Sequence, residues 1–230
     1  MMNARTPAPL SLPPLRALGQ SWLAACLILL ALGVHGSSLA QAPQPNDPPN
    51  VLVEKATSQA LARVREDQSL REGKTGSVNK AVDELILPYV NFEKTTRLAV
   101  GRNWRDATPE QRERLTQAFR SMLIRTYSGA ISNITPAAKV EMLPYRYADD
   151  ATDVVVRTRV SDGAREPIPV DYRLEKLDSG WKIYDLNVLG VWFIENYRNQ
   201  FNGVIQKDGI EGLIRSLETR NTELPVQTKQ

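Results

Sequence analysis

Hydrophobic positions along this chain repeat at helical spacing in the first part and at every second position later. Before residue 138 the apolar residues recur every three or four positions. This spacing predicts a helix over 51–67, a second helix that Ser77 caps and that reaches Tyr89, and a third over 92–100 that Asn91 caps. The first part of the domain is therefore predicted to be helical.

The strongest local signal is the run Thr108-Pro109-Glu110-Gln111. Thr108 is suited to the N-cap, proline is favoured at the first helical position, and Gln111 completes a capping box. An apolar stripe continues from Leu115 to Ile134, and Pro136 ends it. We therefore predict one long helix here, with its arginines facing water.

Alternation then predicts four strands, over 139–147, 153–160, 168–177 and 181–189. Tight turns at Asp162-Gly163 and Asp178-Ser179-Gly180 favour an antiparallel meander. The alternation slips in the last strand near Asp185. This slip indicates either a β-bulge or a sheet that is covered on both faces.

Gly190 separates the last strand from an amphipathic helix that begins at Val191 and ends near Gly209, followed by a short helix over 210–217. Six aromatic residues fall between Trp181 and Phe201. They are typical of an ordinary sheet–helix core, but they also suit a surface that leaves room for an apolar guest. The pattern predicts one α+β domain over 51–220, with a curved antiparallel four-stranded sheet covered by helices around an apolar pocket.

The flanking segments differ in composition from this domain. Residues 1–40 combine Arg5 and Arg16 with a short apolar run over 22–34 and small residues before Gln41, which predicts a cleaved secretory signal. Cys26 lies inside the apolar run rather than at its end, so a lipoprotein signal is the weaker alternative. Residues 41–50 are predicted to be a disordered lead, and residues 221–230 a loose tail.

Cleavage after residue 40 would remove the only cysteine and the only histidine, Cys26 and His35, and would leave 27 Lys and Arg against 26 Asp and Glu. The remaining chain then has no Cys or His for a nucleophile, general base or zinc site, and no disulfide. An exported chain without disulfides suits the bacterial periplasm. The near-neutral balance argues against a nucleic-acid partner.

Carboxylates are the main candidates for catalysis that remain. Asp171 and Asp185 lie on neighbouring predicted strands and could form a pair. The structural alternative is that Asp171 faces water and that Asp185 forms a salt bridge with Arg198 or Lys182. Arginines between residues 97 and 120 are interleaved with acids, as on a solvated helical face, although a rim for an anionic headgroup or an acidic partner stays open.

Several spaced motifs resemble the MlaC family of periplasmic phospholipid-binding proteins, also called toluene-tolerance auxiliary proteins. They are Gly101-Arg-Asn-Trp104 followed by Thr108-Pro-Glu-Gln-Arg112, Asp171-Tyr-Arg-Leu174, Gly180-Trp-Lys-Ile-Tyr-Asp185, Asn196-Tyr-Arg-Asn-Gln-Phe201 and Gly209-Ile-Glu-Gly-Leu213. Relatives often have Glu-Gly-aliphatic-Ser where this chain has Leu189-Gly-Val-Trp192.

The resemblance implies a carrier that holds the acyl tails of a phospholipid between sheet and helices, with no catalytic residue, metal or cofactor. It implies exchange with an outer-membrane lipoprotein–porin complex and an inner-membrane ABC transporter that has an MCE-domain ring, which maintains outer-membrane lipid asymmetry. A small periplasmic enzyme on a cone-shaped α+β scaffold and a structural envelope adaptor are the alternatives. The bulky residues expected to line the pocket are Tyr89, Phe92, Leu98, Leu123, Tyr127, Val154, Val156, Val170, Tyr172, Trp181, Ile183, Trp192, Tyr197 and Phe201.

Overall fold

The computed structural model describes residues 42–132, 134–135, 137–162 and 166–223. The helices are α1 (Pro49–Glu66), α2 (Gln68–Arg71), α3 (Thr75–Leu85), α4 (Phe92–Val100), α5 (Pro109–Ser132) and α6 (Phe193–Glu223). Two 3₁₀ segments, Leu87–Tyr89 and Gly101–Arg105, flank α4. The strands are β1 (Lys139–Met142), β2 (Asp153–Ser161), β3 (Ile168–Leu177), β4 (Gly180–Val188) and β5 (Val191–Trp192). The α+β class is confirmed.

Helix ends follow the local chemistry in most places. Asn91 caps α4 by accepting a hydrogen bond from the Lys94 amide at 3.0 Å, and Thr108 and Gln111 form the reciprocal capping box at 3.0 and 3.2 Å. Ser77 lies inside α3 and does not cap it. Gly209, with φ of 68°, interrupts α6 where the sequence predicts a break.

The sheet is antiparallel with order β1-β2-β3-β4-β5. The predicted bulge is present: Arg173 pairs with Asp185 and Leu174 pairs with Ile183, which leaves Tyr184 as the extra residue of β4. The sheet has five strands instead of the predicted four. Val191 and Trp192, predicted as the start of a helix, pair with Val188 and Asn187, because Gly190 at φ of 86° turns the chain back along β4.

Three apolar clusters hold the domain together. Leu52 and Val53 of α1 pack on the inward side of β2–β4, against Val154, Val156 and Leu174. A larger helical cluster joins α4, α5 and α6 around Phe119. A third cluster consists of Val64 near the end of α1, Leu70 of α2 and Val78 near the start of α3. The space between the first two clusters is where the candidate site lies.

The segment before α1 lies against the sheet in the structure. Pro43 is buried, and Asp47 forms an ion pair with Lys55 at 2.9 Å. A Cβ on Gly180, which has φ of 100°, would overlap the carbonyl oxygen of Pro45. Residues 42–48 therefore cross the β3–β4 turn in close contact. Within the residues that the structure describes, no helix has the length and apolar character needed to span a bilayer.

Candidate functional site

An apolar cavity of about 470 Å³ lies between the inward face of the sheet and the helices α1, α3, α4 and α5. This volume falls within the roughly 300–1,000 Å³ that is typical of small-molecule sites. The cavity is lined by residues from α1, α3 and the 3₁₀ turn after it, α4, α5, β3, β4 and the first residue of α6. They are Ala56, Thr57, Ala60, Leu85, Ile86, Tyr89, Val90, Phe92, Thr95, Phe119, Leu123, Ile124, Tyr127, Tyr172, Ile183, Tyr184, Asp185, Leu186 and Phe193.

A change of side-chain size along α1 explains why the space is open. In the first turn Leu52 and Val53 fill the gap above the sheet and are nearly inaccessible. The following turns present Ala56, Thr57 and Ala60 instead. Protein interiors are close-packed, so the small side chains leave a void unless a partner from the sheet compensates. Tyr172 and Leu186 lie below without closing it.

Aromatic rings form the wall on the α5 side. Phe119 contacts Phe92 edge-on with ring centroids 6.0 Å apart, and Tyr197 and Phe201 pack behind it at 5.0 Å each. Tyr127 stacks on Phe193 at 5.1 Å and 18°, and it is 38% exposed. Because these rings hold one another in place, we conclude that the wall is preformed. Tyr127 marks where it meets solvent.

The one acidic side chain in the lining, Asp185, is fully engaged. Its Oδ1 accepts hydrogen bonds from the amides of Leu186 and Ile194 at 2.9 and 3.0 Å, and its Oδ2 pairs with Arg173 at 3.1 Å. Burial raises the pKa of the Asp185 carboxyl, while the two amides and the Arg173 guanidinium oppose that rise. Asp185 thus joins β4 to the start of α6.

Tyr184, the extra residue of the bulge, lines the cavity and also reaches a polar cluster under α4. Its hydroxyl donates to Asp153 at 2.8 Å, and Lys94 lies 3.7 Å above its ring. Lys94 also pairs with Glu175 at 2.8 Å. Burial and the Asp153 carboxylate both raise the pKa of Tyr184, so the phenol stays protonated. The polar groups of this cluster therefore hold α4 against the sheet.

Six of the fourteen predicted residues line the cavity: Tyr89, Phe92, Leu123, Tyr127, Tyr172 and Ile183. The other eight lie elsewhere. Val154, Val156 and Trp181 are buried under α1 with Val170 beside them, and Tyr197 and Phe201 form the second row behind Phe119. Trp192 lies under the Arg173 guanidinium at 3.8 Å. Leu98 is half-buried, and its carbonyl accepts from Arg198 Nε at 2.9 Å.

Thirteen lining residues were not predicted. Some left a visible trace: Leu85 and Ile86 share the predicted stripe with Tyr89, and Ala56 and Ala60 share that of α1. Small residues such as Ala56 and Ala60 on the apolar stripe of a helix indicate a place where the helix does not fill the space next to it. Thr57, Thr95 and Val90 carry no such signal, because their position depends on how the helices cross the sheet.

The suggested carboxylate pair is not formed. On the sheet Asp171 stands opposite Asn187, and Asp185 stands opposite Arg173. The predicted partners of Asp185 are also engaged elsewhere: Arg198 donates to the Leu98 carbonyl and Lys182 to the Pro88 carbonyl. Asp185 is a structural group here.

The sequence of this chain is similar to those of a known protein family. A profile of the family described as MlaC protein matches residues 54–219. The intermembrane phospholipid transport system binding protein MlaC of Haemophilus influenzae is 24% identical over 174 residues, which are 74% of this chain and 80% of that protein. The toluene tolerance protein ttg2D of Pseudomonas putida is 24% identical over 162 residues, 70% of this chain and 74% of that protein.

A solved structure agrees with the fold. The phospholipid-binding protein of Ralstonia solanacearum, determined in complex with a phospholipid, superposes with a TM-score of 0.71 at 45% identity, over 75% of this chain and 96% of that one. The profile match covers most of the chain and the cavity helices with it, and the resemblance read from the motifs is confirmed. This chain belongs to the MlaC family.

Proposed function

We propose that this protein is a periplasmic phospholipid carrier whose cavity holds acyl tails. The observation that carries the proposal is the apolar space of about 470 Å³ between sheet and helices. The solved relative that shares 45% of its residues holds a phospholipid. Its name and those of the other relatives concern phospholipid binding, intermembrane transport and toluene tolerance.

The energetics of transfer suit a cavity of this kind. Removing one methylene from water contributes about 0.8 kcal/mol, so two ordinary tails amount to roughly 20–25 kcal/mol. A lipid therefore crosses water usefully only when a protein covers its tails. Phe92, Leu123 and Ile183 offer that cover, and Tyr127 lies where a headgroup would meet solvent.

In this role the carrier exchanges lipid with an outer-membrane lipoprotein–porin complex and an inner-membrane MCE-domain ABC transporter, which maintains outer-membrane lipid asymmetry. The predicted export signal supports a periplasmic location. Release into bulk water is opposed by the transfer free energy of the tails, so a partner has to open the helices over the sheet. Loaded protein mixed with vesicles alone should exchange lipid slowly.

The engaged state of Asp185 favours a carrier over an enzyme. Every hydrogen bond that it makes within the described structure is to a backbone amide or to Arg173. A general base must reach a substrate proton, and this carboxylate is enclosed. The remaining lining is aliphatic, aromatic or hydroxylated, which suits holding tails.

The test is native mass spectrometry of the exported protein, with phospholipid in the spectrum as the expected result. Ala60→Phe places a ring in the cavity and should reduce the lipid-bound fraction at least tenfold while the protein stays folded. Ser58→Phe is the matched control, because Ser58 is on the same helix, exposed, and outside the lining.

Lipid bound equally by both variants would contradict the cavity as the binding site. An empty wild-type protein that turns over an apolar substrate would favour the enzyme instead. Rapid exchange with vesicles in the absence of partners would contradict the partner-driven release.

A further inference from the structure

Three aliphatic side chains project into solvent at one end of the sheet. Leu189, in the turn between β4 and β5, is 66% exposed, and Val191, the first residue of β5, is 53% exposed. Ile168, at the start of β3, is 40% exposed. The Leu189 amide donates to the Pro169 carbonyl at 3.3 Å, which holds the turn beside Ile168. We call Leu189, Gly190, Val191 and Ile168 the β4–β5 tip.

The backbone of the tip is unfavourable for the residue that occupies it. Leu189 has φ of 53°, and it is the one non-glycine residue with positive φ in the described parts of the chain. A bulky side chain rarely adopts this conformation, whereas asparagine and glycine adopt it readily. Strain of this kind collects at functional positions. Folding does not explain a leucine here, because its side chain gains little burial.

Positive charge lies next to the tip. Arg157 and Arg159 of β2 are exposed and stand opposite Asp171 and Glu141 in the sheet register, but neither arginine comes within ion-pair distance of a carboxylate among the described residues. Arg159 stands opposite Pro169, the residue next to Ile168. Trp192 lies on β5, the strand that follows the turn. The guanidinium of Arg173, on β3, lies 3.8 Å from the centre of the Trp192 ring. Aliphatic groups, a tryptophan and exposed arginines together resemble the composition of segments that bind the bilayer interface.

We propose that the β4–β5 tip inserts shallowly into an anionic bilayer surface, with Arg157 and Arg159 meeting lipid phosphates. A specific protein interface needs about 800 Å² from each partner and a matching shape, which three side chains on a convex turn do not supply. A bilayer needs no matching shape. Each nearby arginine contributes on the order of a fivefold gain in binding to anionic membranes.

Such contact would be brief, which suits a carrier that has to leave again. Even a whole myristoyl chain gives only marginal, reversible membrane binding. Phe193 of the cavity wall follows Val191 by two residues, so the tip and the cavity are joined through β5. This inference rests on the proposed function for its purpose, but the membrane contact itself is measured separately.

The experiment is flotation of the exported protein, expressed as the full chain, with vesicles of phosphatidylethanolamine that contain or lack phosphatidylglycerol. Leu189→Asn should lower the partition coefficient about tenfold, because it removes most of a leucine from the bilayer. The double variant R157Q/R159Q should lose at least tenfold on anionic vesicles and little on neutral ones. Leu177→Asn is the matched control: Leu177 is 40% exposed and ends β3 beside the opposite turn of β4.

Absence of wild-type flotation, or equal flotation of Leu189→Asn and wild type, would overturn the proposal. An equal loss in Leu177→Asn would also overturn it, since binding would then depend on general hydrophobicity. If Leu189→Asn weakened capture of an envelope protein complex but left flotation unchanged, the tip would be a protein contact instead. Bound lipid, measured in the same preparations, separates the two proposals: lipid without flotation removes only this one, and flotation without lipid removes only the carrier.

Discussion

At the scale of single residues, Leu189 is held in a conformation that its side chain disfavours. Leu189→Asn should therefore raise the free energy of unfolding by about 1 kcal/mol, because asparagine accepts the left-handed region more readily. Urea denaturation measures this change. Leu177→Asn, at a residue without positive φ, should stay within about 0.5 kcal/mol of wild type. An unchanged or lower stability of Leu189→Asn would mean that the turn is relaxed with leucine.

Asp185 is the second residue whose environment sets a measurable property. Its pKa lies above the usual value of 3.8 because burial disfavours the carboxylate. The folded state then binds this proton more tightly than the unfolded state does. The contribution of Asp185 to the unfolding free energy is present in full below pH 3.8 and declines as the pH rises through the raised pKa.

Comparison with Asp185→Asn isolates this effect, since asparagine does not titrate. The unfolding free energy of wild type minus that of Asp185→Asn should decrease from about pH 4 upward. Urea titrations at successive pH values give the difference. A difference that grows with pH would show instead that Arg173 and the two amides dominate and lower the pKa.

At the scale of elements, the β3–β4 turn depends on a glycine. Gly180 has φ of 100°, and a Cβ there would meet the Pro45 carbonyl oxygen. Gly180→Ala should lower the free energy of unfolding by about 2 kcal/mol or more, because alanine there combines backbone strain with a steric clash. Gly203→Ala is the control, because Gly203 lies within α6 with open space around it. Alanine there should raise the free energy of unfolding by at most about 1 kcal/mol. Chemical denaturation of both variants tests the contrast, and a neutral Gly180→Ala would mean that residues 42–48 yield easily.

Some features of the helices and strands can be predicted from the sequence, and others cannot. The capping box at Thr108 and the slip near Asp185 were readable because each depends on a few neighbouring residues. The sequence does not predict strand β5, because Val191 continues the helical spacing of α6, and only the return of the chain at Gly190 pairs Val191 and Trp192 with β4.

The cavity lining was harder to predict for a related reason. Alternation indicates that Val156 and Ile183 both face inward, but not what lies opposite them. Val156 meets the bulky first turn of α1, whereas Ile183 faces the open space beyond it. Core and cavity are therefore distinguished by the register between a helix and a sheet, which requires the tertiary structure.

At the scale of the whole molecule, an apolar void of about 470 Å³ lowers stability unless something fills it. Protein stripped of lipid should unfold at lower urea concentration than loaded protein, and added phospholipid should restore the midpoint, since a ligand at 100 times its Kd adds about 2.7 kcal/mol. Ser58→Phe should respond like wild type. Ala60→Phe should show little difference between its two states, because the ring hinders entry of the tails and little lipid is bound. Equal midpoints for loaded and stripped wild type would mean that phospholipid does not bind the folded protein in preference to the unfolded one, which would contradict the carrier.

Residues 42–48 pass close to the β3–β4 turn, and this fixes where a linker at the start of the domain would leave the protein. That turn and the β4–β5 turn lie at opposite ends of β4, whose nine residues span roughly 30 Å. A linker attached just before residue 42 would emerge beside Gly180. Protein immobilised through such a linker would present Leu189 at the far end of the strand, so the same molecule could be arrayed on a solid support with its aliphatic turn directed outward.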